Sequence, residues 1–254
     1  MFFQLDVLAL AAHPDDTELC CSGTLASLVN QGYKTGVIDL TRGEKGTRGT
    51  PKQRVEEAQA AAKILGLTIR ENLELPDTQL ANTREFQKVI IREIRKYRPH
   101  ICLVNAPGDR HPDHGDAAKL ELDAIFYSGL RMITTQDKDG KEQEIWRPAH
   151  ILHYMQDRPF EPSFVYDVSD TMETKKEAIL AFRSQFNLQE SQQGDDEPET
   201  YISSPRFFNS ILGRARHYGH MIGAEYGEPF LYYEMNAPVP LKNFNVFMET
   251  SPTR

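Results

Sequence analysis

Short apolar runs alternate along the chain with longer amphipathic stretches. Leu5 to Ala11 (LDVLALA) is apolar without helical spacing, the pattern of a buried parallel strand. Leu19 to Gln31 reads as a helix stopped at Gly32, and Lys34 to Leu40 as a second strand. Pro51 to Leu65 is a helix with proline in its first turn and Gly66 beyond its end. Leu67 to Leu75 contains another strand. From Asn82 to Tyr97, Phe86, Val89, Ile90, Ile94 and Tyr97 recur at helical spacing, and Pro99 ends that helix. A strand over Ile101 to Val104 precedes a helix from about Asp116 to Tyr127. Further strands are expected at His150 to Met155 and Phe164 to Val168, with helices over Met172 to Phe186 and Pro205 to Tyr226.

Strands separated by helices of this length imply parallel βαβ units. The expected fold is therefore α/β, a Rossmann-like three-layer sandwich with a mostly parallel sheet. At 254 residues the chain suits one domain, with a core over about 5–230 and a C-terminal extension over 231–254. Thr134 to Gln143 and the acidic, Gln-rich Asn187 to Glu199 read as surface insertions. The Pro-containing tail from Ala237 to Arg254 is expected along the surface or at a subunit contact.

Chemistry concentrates at two of the expected strand ends. His13-Pro14-Asp15-Asp16 follows the first apolar run, and His111-Pro112-Asp113-His114 follows Ile101 to Val104 through a short loop. Open α/β sheets bind ligands outside the carboxyl ends of their strands, so the two turns can converge in one crevice. An Asp that merely caps the following helix explains one carboxylate of the first turn and leaves His13 unexplained. A catalytic divalent site uses three protein ligands and keeps one position open. His13, Asp16 and His114 supply two imidazoles and a carboxylate. Asp15 is then free to take a proton from the attacking water. Asp113 can orient His111 and favour its protonated form, and His111 can polarise a carbonyl or protonate a leaving amine. That inventory suits hydrolysis of an amide or ester.

These motifs, with AHPDDTE near the start and ARHYGHMIGAEYGEPF near the end, resemble the LmbE-like (PIG-L) deacetylase family, most closely its bacillithiol-biosynthesis deacetylases. The resemblance runs from Leu5 to about Phe230 and implies the same ligands, His13, Asp16 and His114, around one zinc ion. It also implies Asp15 as general base and His111, backed by Asp113, as oxyanion partner or acid. Two further matches follow from it. Arg54 aligns with an arginine that helps hold the sugar, and Tyr201 with a mobile-loop tyrosine that approaches the oxyanion. The substrate it implies is N-acetylglucosaminyl-malate, cut to glucosaminyl-malate and acetate, with another N-acetylglucosamine compound such as a chitin oligosaccharide as the alternative, and the assembly a homo-oligomer, up to a hexamer. Iron(II) suits two His and one carboxylate as well as zinc does.

Charge and composition narrow the alternatives. A net charge of −8 argues against a nonspecific nucleic-acid binder, and no apolar run reaches the ~18 residues of a membrane span. The apolar N-terminus lacks a basic region and a cleavage site and reads as a core strand. Cys20, Cys21 and Cys102 have no paired spacing and suit buried thiols in a cytoplasmic protein. Against this acidic background, Arg42, Lys45 and Arg48 crowd a glycine loop after the second strand, and Arg110 directly precedes HPDH. A guanidinium at Arg110 can grip a substrate carboxylate bidentately or pair with Asp109 or Asp113. Glu18 reads equally as a support to a ligand or as a helix-dipole partner. His217 and His220 share a helix face where a second metal is conceivable but lacks a carboxylate partner, and Glu225 and Glu228 suit fixing the C-terminal chain or an interface. A nucleotide-binding module and a catalytically inert metal-binding module are the competing classes. The first lacks a glycine-rich phosphate turn, and the second leaves Asp15 and His111 without a role.

Overall fold

The computed structural model describes residues 4–186 and 197–233. The elements run in the order β1 (Val7–Ala11), α1 (Asp16–Cys20), α2 (Ser22–Asn30), β2 (Thr35–Thr41), α3 (Pro51–Leu65), β3 (Ile69–Leu75), α4 (Arg84–Tyr97) and β4 (Ile101–Val104). They continue with α5 (Pro112–Ser128), β5 (His150–Tyr154), β6 (Phe164–Asp167), α6 (Met172–Leu180), α7 (Pro205–Ile222) and β7 (Gly227–Tyr232).

One seven-stranded sheet has the order β3-β2-β1-β4-β5-β7-β6. The pairings from β3 through β5 are all parallel. From β1 the chain winds outward to β2 and β3, then crosses back to place β4 on the other side of β1. The switch in winding direction lies between β1 and β4, and a crevice opens there at the strand ends. Both histidine turns therefore flank the switch point.

Successive residues of β1 point to opposite faces and populate two separate cores. Val7 and Ala9 pack with Leu25, Ala61, Ile179 and Phe208. Leu8 and Leu10 pack with Ile90, Ile94, Leu120 and Ala124 of α4 and α5. Helices thus cover both faces of the sheet, which is the expected three-layer α/β arrangement. All three cysteines are free and buried.

Four local expectations change. The helix read over Leu19 to Gln31 is two helices, broken at Cys21 (φ −137°). The N-terminus of α2 is capped from a distance: Glu228 of β7 accepts from Gly23 N at 3.0 Å and Thr24 N at 2.7 Å. Lys175 neutralises the same carboxylate at 2.5 Å, so Glu228 does fix the C-terminal chain. Secondly, α5 begins at Pro112 rather than Asp116, and its N-cap is His111. Thirdly, α6 stops at Leu180, and α7 stops at Ile222 because Gly223 turns left-handed at φ 75°.

Finally, the parallel rule fails at one edge. β7, absent from the expected elements, inserts antiparallel between β5 and β6. Its approach to α7 depends on glycine. A Cβ at Gly219 would lie 2.6 Å from the backbone nitrogen of Tyr226, and one at Gly227 2.9 Å from Gly219 N. The closing sequence motif is therefore a close-packed helix-to-strand return. Residues 187–196, most of the acidic insertion, and the tail from Ala237 onward lie outside the described residues.

Candidate metal centre and active site

Asp15 is the N-cap of α1, yet its side chain makes no capping bond, and its φ is 107°. A non-glycine residue held left-handed is strained, and such strain persists only where surrounding contacts impose it. The contact here is Arg54, whose Nη2 lies 3.1 Å from Asp15 Oδ2 and also bonds the carbonyl of Pro14. The turn consequently throws Asp15 and Asp16 in different directions. Asp16 Oδ2 accepts from His13 N at 2.9 Å and lies 3.6 Å from His13 Nδ1, while its Oδ1 lies 3.1 Å from His114 Nε2. One carboxylate thus spans two imidazoles.

Each imidazole is held by a carboxylate at its other nitrogen. His13 Nε2 lies 3.2 Å from both Asp77 Oδ1 and Asp113 Oδ2, and His114 Nδ1 lies 2.6 Å from Asp109 Oδ2. Carboxylates in these positions keep the proton on the outer nitrogen and turn the other toward a metal. Their own placement is fixed by backbone donors. Lys45 N reaches Asp77 at 2.7 Å, and Thr78 N, from a strained backbone at φ 64°, reaches Asp113 at 2.9 Å.

The charges tell the same story. Burial opposes charge on His13, but bonds to Asp113, Asp16 and Asp77 raise it well above the ordinary value. Burial likewise opposes charge on His114, yet the Asp16 charge and the Asp109 bond push it up to about 9. Burial works against ionising Asp16, while the neighbouring His114 holds its carboxylate well below the usual range. Carboxylates packed this densely call for positive charge, which a divalent cation supplies in place of two protons. Possible ligand clusters among the described residues are His13, His111 and His114, and His13, Asp77 and Asp113. Asp16 is in neither cluster, but its carboxylate lies against both His13 and His114, and this His/Asp donor set fits a metal.

His111 departs from its expected support. Its Nδ1 accepts from Asp113 N at 3.3 Å, while the Asp113 carboxylate serves His13 and Thr78 instead. An accepting Nδ1 leaves the proton on Nε2 of a neutral ring. Burial first, then the charges of His13 and His114, lower its pKa, so the expected preference for the protonated form is reversed. A neutral imidazole can still donate Nε2–H to a developing oxyanion.

His13, Asp15, Asp16, Asp77, His111 and His114 line a cavity of about 320 Å³. Arg54, Arg110 and Tyr201 line it too. Arg54 is buried and committed to the Asp15 turn. Arg110 pairs with neither Asp109 nor Asp113. Its Nε donates to Asp157 at 3.0 Å, its guanidinium carbon sits 4.4 Å from the Tyr201 ring centroid, and Tyr201 OH donates to Asp157 at 3.1 Å. Of the basic glycine loop, Arg42 approaches Glu74 at 3.9 Å, and Arg48 ties the loop to Ser184 and Glu197 through their carbonyls. Lys45 lines the cavity.

Glu18 lies in the first turn of α1, where the helix-dipole reading puts it, and does not line the cavity. Buried, it pairs with Arg70, whose Nη2 also binds Asp39 at 2.9 Å. Among the described residues no metal cluster includes His217 or His220. Sequence reasoning gives no role in the site to Asp77, Gln156 and Asp157, and casts Asp109 only as an ion partner of Arg110. They lie past β3, β4 and β5 at the same sheet edge, so the strand-end rule that finds HPDD would find them.

Residues 8–125, which include both histidine turns, match the PIG-L model, described as GlcNAc-PI de-N-acetylase. Diacetylchitobiose deacetylase from Thermococcus kodakarensis is 33% identical over 190 residues, covering 71% of this chain and 70% of its own. The chain belongs to the PIG-L family. The activity class that goes with membership is deacetylation of N-acetylglucosamine-type substrates, a hydrolytic reaction. The conserved protein TT1542 from Thermus thermophilus superposes with a TM-score of 0.79 at 36% identity, covering 94% of this chain and 100% of that one. N,N'-diacetylchitobiose deacetylase from Pyrococcus horikoshii superposes at 0.76 with 26% identity, covering 97% and 86%. Among the described residues no helix is long and apolar enough to cross a membrane.

Proposed function

We propose that this PIG-L member is a zinc-dependent N-deacetylase of N-acetylglucosamine conjugates, with N-acetylglucosaminyl-malate as its substrate. The observation that carries the reading is Asp16 between His13 and His114, each imidazole backed by a carboxylate, with Asp15 beside them in a strained turn. His13, Asp16 and His114 would hold the cation. When bound, it supplies a Lewis acid that lowers the pKa of water and polarises the acetyl carbonyl.

The chain's own residues do the rest. Burial pushes Asp15 up to about 7, against the pull of Arg54, which suits a base that must take a proton near neutrality. Asp15 removes the proton of the attacking water. His111 donates Nε2–H to the oxyanion as the carbonyl carbon becomes tetrahedral. The proton held by Asp15 then passes to the departing amine, the C–N bond breaks, and acetate and the free amino sugar leave. Arg54 keeps Asp15 aimed inward and, with Arg110 and Tyr201, lines the space for the sugar and its aglycone.

The named relatives that act on diacetylchitobiose keep a chitin-type disaccharide as a second reading. Acetate release from N-acetylglucosaminyl-malate, diacetylchitobiose and free N-acetylglucosamine separates the two. The malate conjugate should have the highest kcat/KM. A higher value for diacetylchitobiose would replace the substrate, and no acetate from any of the three in the zinc-loaded chain would remove the deacetylase reading.

A further inference from the structure

The cavity has a wall that the reaction leaves unused. It is formed by Gln156, just beyond β5, and Arg214 of α7. Arg214 Nη1 donates to the carbonyl of Gln156, and its Nη2 lies 3.5 Å from the carbonyl of Leu19 at the end of α1. A guanidinium carries five N–H donors. Among the described residues the other donors meet no acceptor, and no carboxylate lies within 4.0 Å of Arg214.

Arg214 differs in this from the other arginines of the cavity, since Arg54 is matched by Asp15 and Arg110 by Asp157. Gln156 adds an independent observation. It is buried, 2% exposed, and its Oε1 accepts from Ala106 N at 2.9 Å. Its Nε2 has no partner among the described residues. A buried donor left unpaired is costly, and a bound acceptor removes that cost.

We propose that Arg214 and Gln156 form an anion subsite for a carboxylate on the aglycone of the substrate. Arg214 supplies the charge and Gln156 Nε2 a directional donor, while Arg110 stays latched to Asp157 and Tyr201 at the rim. This rests on the deacetylase reading and adds which residues select the conjugate. It also moves the carboxylate contact away from Arg110, whose charge is already met.

The test is the ratio of kcat/KM for N-acetylglucosaminyl-malate to that for diacetylchitobiose, in wild type, Arg214→Gln, Arg214→Lys, Gln156→Leu and Arg110→Gln. Loss of a charge-assisted hydrogen bond should lower the ratio roughly 10- to 100-fold in Arg214→Gln. Arg214→Lys, which keeps the charge, should recover part of it, and Gln156→Leu should lower it less than Arg214→Gln. Inhibition of diacetylchitobiose cleavage by free malate should weaken in the same order. Equal losses on both substrates, with no recovery by lysine, would make Arg214 a C-terminal cap of α1 and overturn the subsite. A ratio that falls only in Arg110→Gln would return the carboxylate to the rim. If the wild-type chain cleaves diacetylchitobiose but shows no preference for the conjugate and no inhibition by malate, the subsite fails while the deacetylase reading stands. If it cleaves neither, the deacetylase reading itself fails, and malate binding to the zinc-loaded chain, weakened by Arg214→Gln, still decides the subsite.

Discussion

Asp109→Ala tests whether the buried carboxylates do more than fill space. Asp109 Oδ2 lies 2.6 Å from His114 Nδ1, and its side chain is 1% exposed. If His114 ligates through Nε2, Asp109 fixes the tautomer and makes the ring a stronger donor. A hydrogen bond to a charged group contributes about 1.5–3 kcal/mol, which at 1.4 kcal/mol per tenfold is about 10- to 150-fold in zinc affinity. That agrees with the roughly 10- to 100-fold found generally for such orienting partners. The other bonds lost, from the backbone N–H groups of Arg158, at 2.6 Å, and of Arg110, are on exposed residues that water can serve. Asp109 also favours the protonated ring in the metal-free chain, where His114 stands at about 9, so proton competition masks part of the loss at neutral pH. The loss should therefore widen from pH 7 to pH 9. Competition against a chromophoric chelator measures the affinity, and kcat at saturating zinc should fall much less than affinity. Wild-type zinc affinity in a folded Asp109→Ala chain at both pH values would refute ligation through Nε2.

Asp15→Asn should retain zinc and lose roughly 10²- to 10⁴-fold in kcat, the usual share of a general base, and near-wild-type turnover at full metal loading would assign the base elsewhere. Arg70→Met strands the buried carboxylates of Glu18 and Asp39 and should cost about 3–5 kcal/mol at pH 8. Asp39, already pushed up to about 6 by burial despite Arg70, rises further, so this deficit is greatest above its folded pKa and shrinks toward pH 5 as the acid protonates. Urea unfolding at the two pH values checks this, and an equal deficit at both would mean that lost packing is responsible. Gly219→Ala drives a Cβ to 2.6 Å from Tyr226 N and should cost about 1–3 kcal/mol by thermal unfolding, whereas an unchanged Tm would contradict the close approach of α7 and β7.

The parallel half of the molecule is readable because its periodicity, proline starts and glycine stops all agree. Pro51 and Gly66 bracket α3, and the heptad-like apolar stripe of α4 leaves no other assignment. What misleads is local competition. HPDH reads as a loop by composition, yet Pro112 at the first helical position and His111 as cap start α5 four residues early. β7 (GEPFLY) carries a proline and follows a glycine turn, both signs of loop, and only its sheet neighbours make it a strand. For the site, two motifs name the groups that converge. The partners of those groups are long-range: Asp77 lies 64 residues from His13, and Asp113 lies 100. Spacing along the chain carries no signal for such pairs, which is why sequence pairs Asp113 with its neighbour His111 rather than with His13.

If His13, Asp16 and His114 hold one cation, Asp15 and His111 cannot work without it. Zinc titration of the chelator-stripped chain tests it most directly, following acetate release from an N-acetylglucosamine conjugate at each step. Activity should start near zero, rise linearly and break at one equivalent per chain, and His114→Ala should show neither the rise nor the break. Full acetate release from the stripped chain, or an unchanged titration in His114→Ala, would mean that these residues hold no catalytic cation.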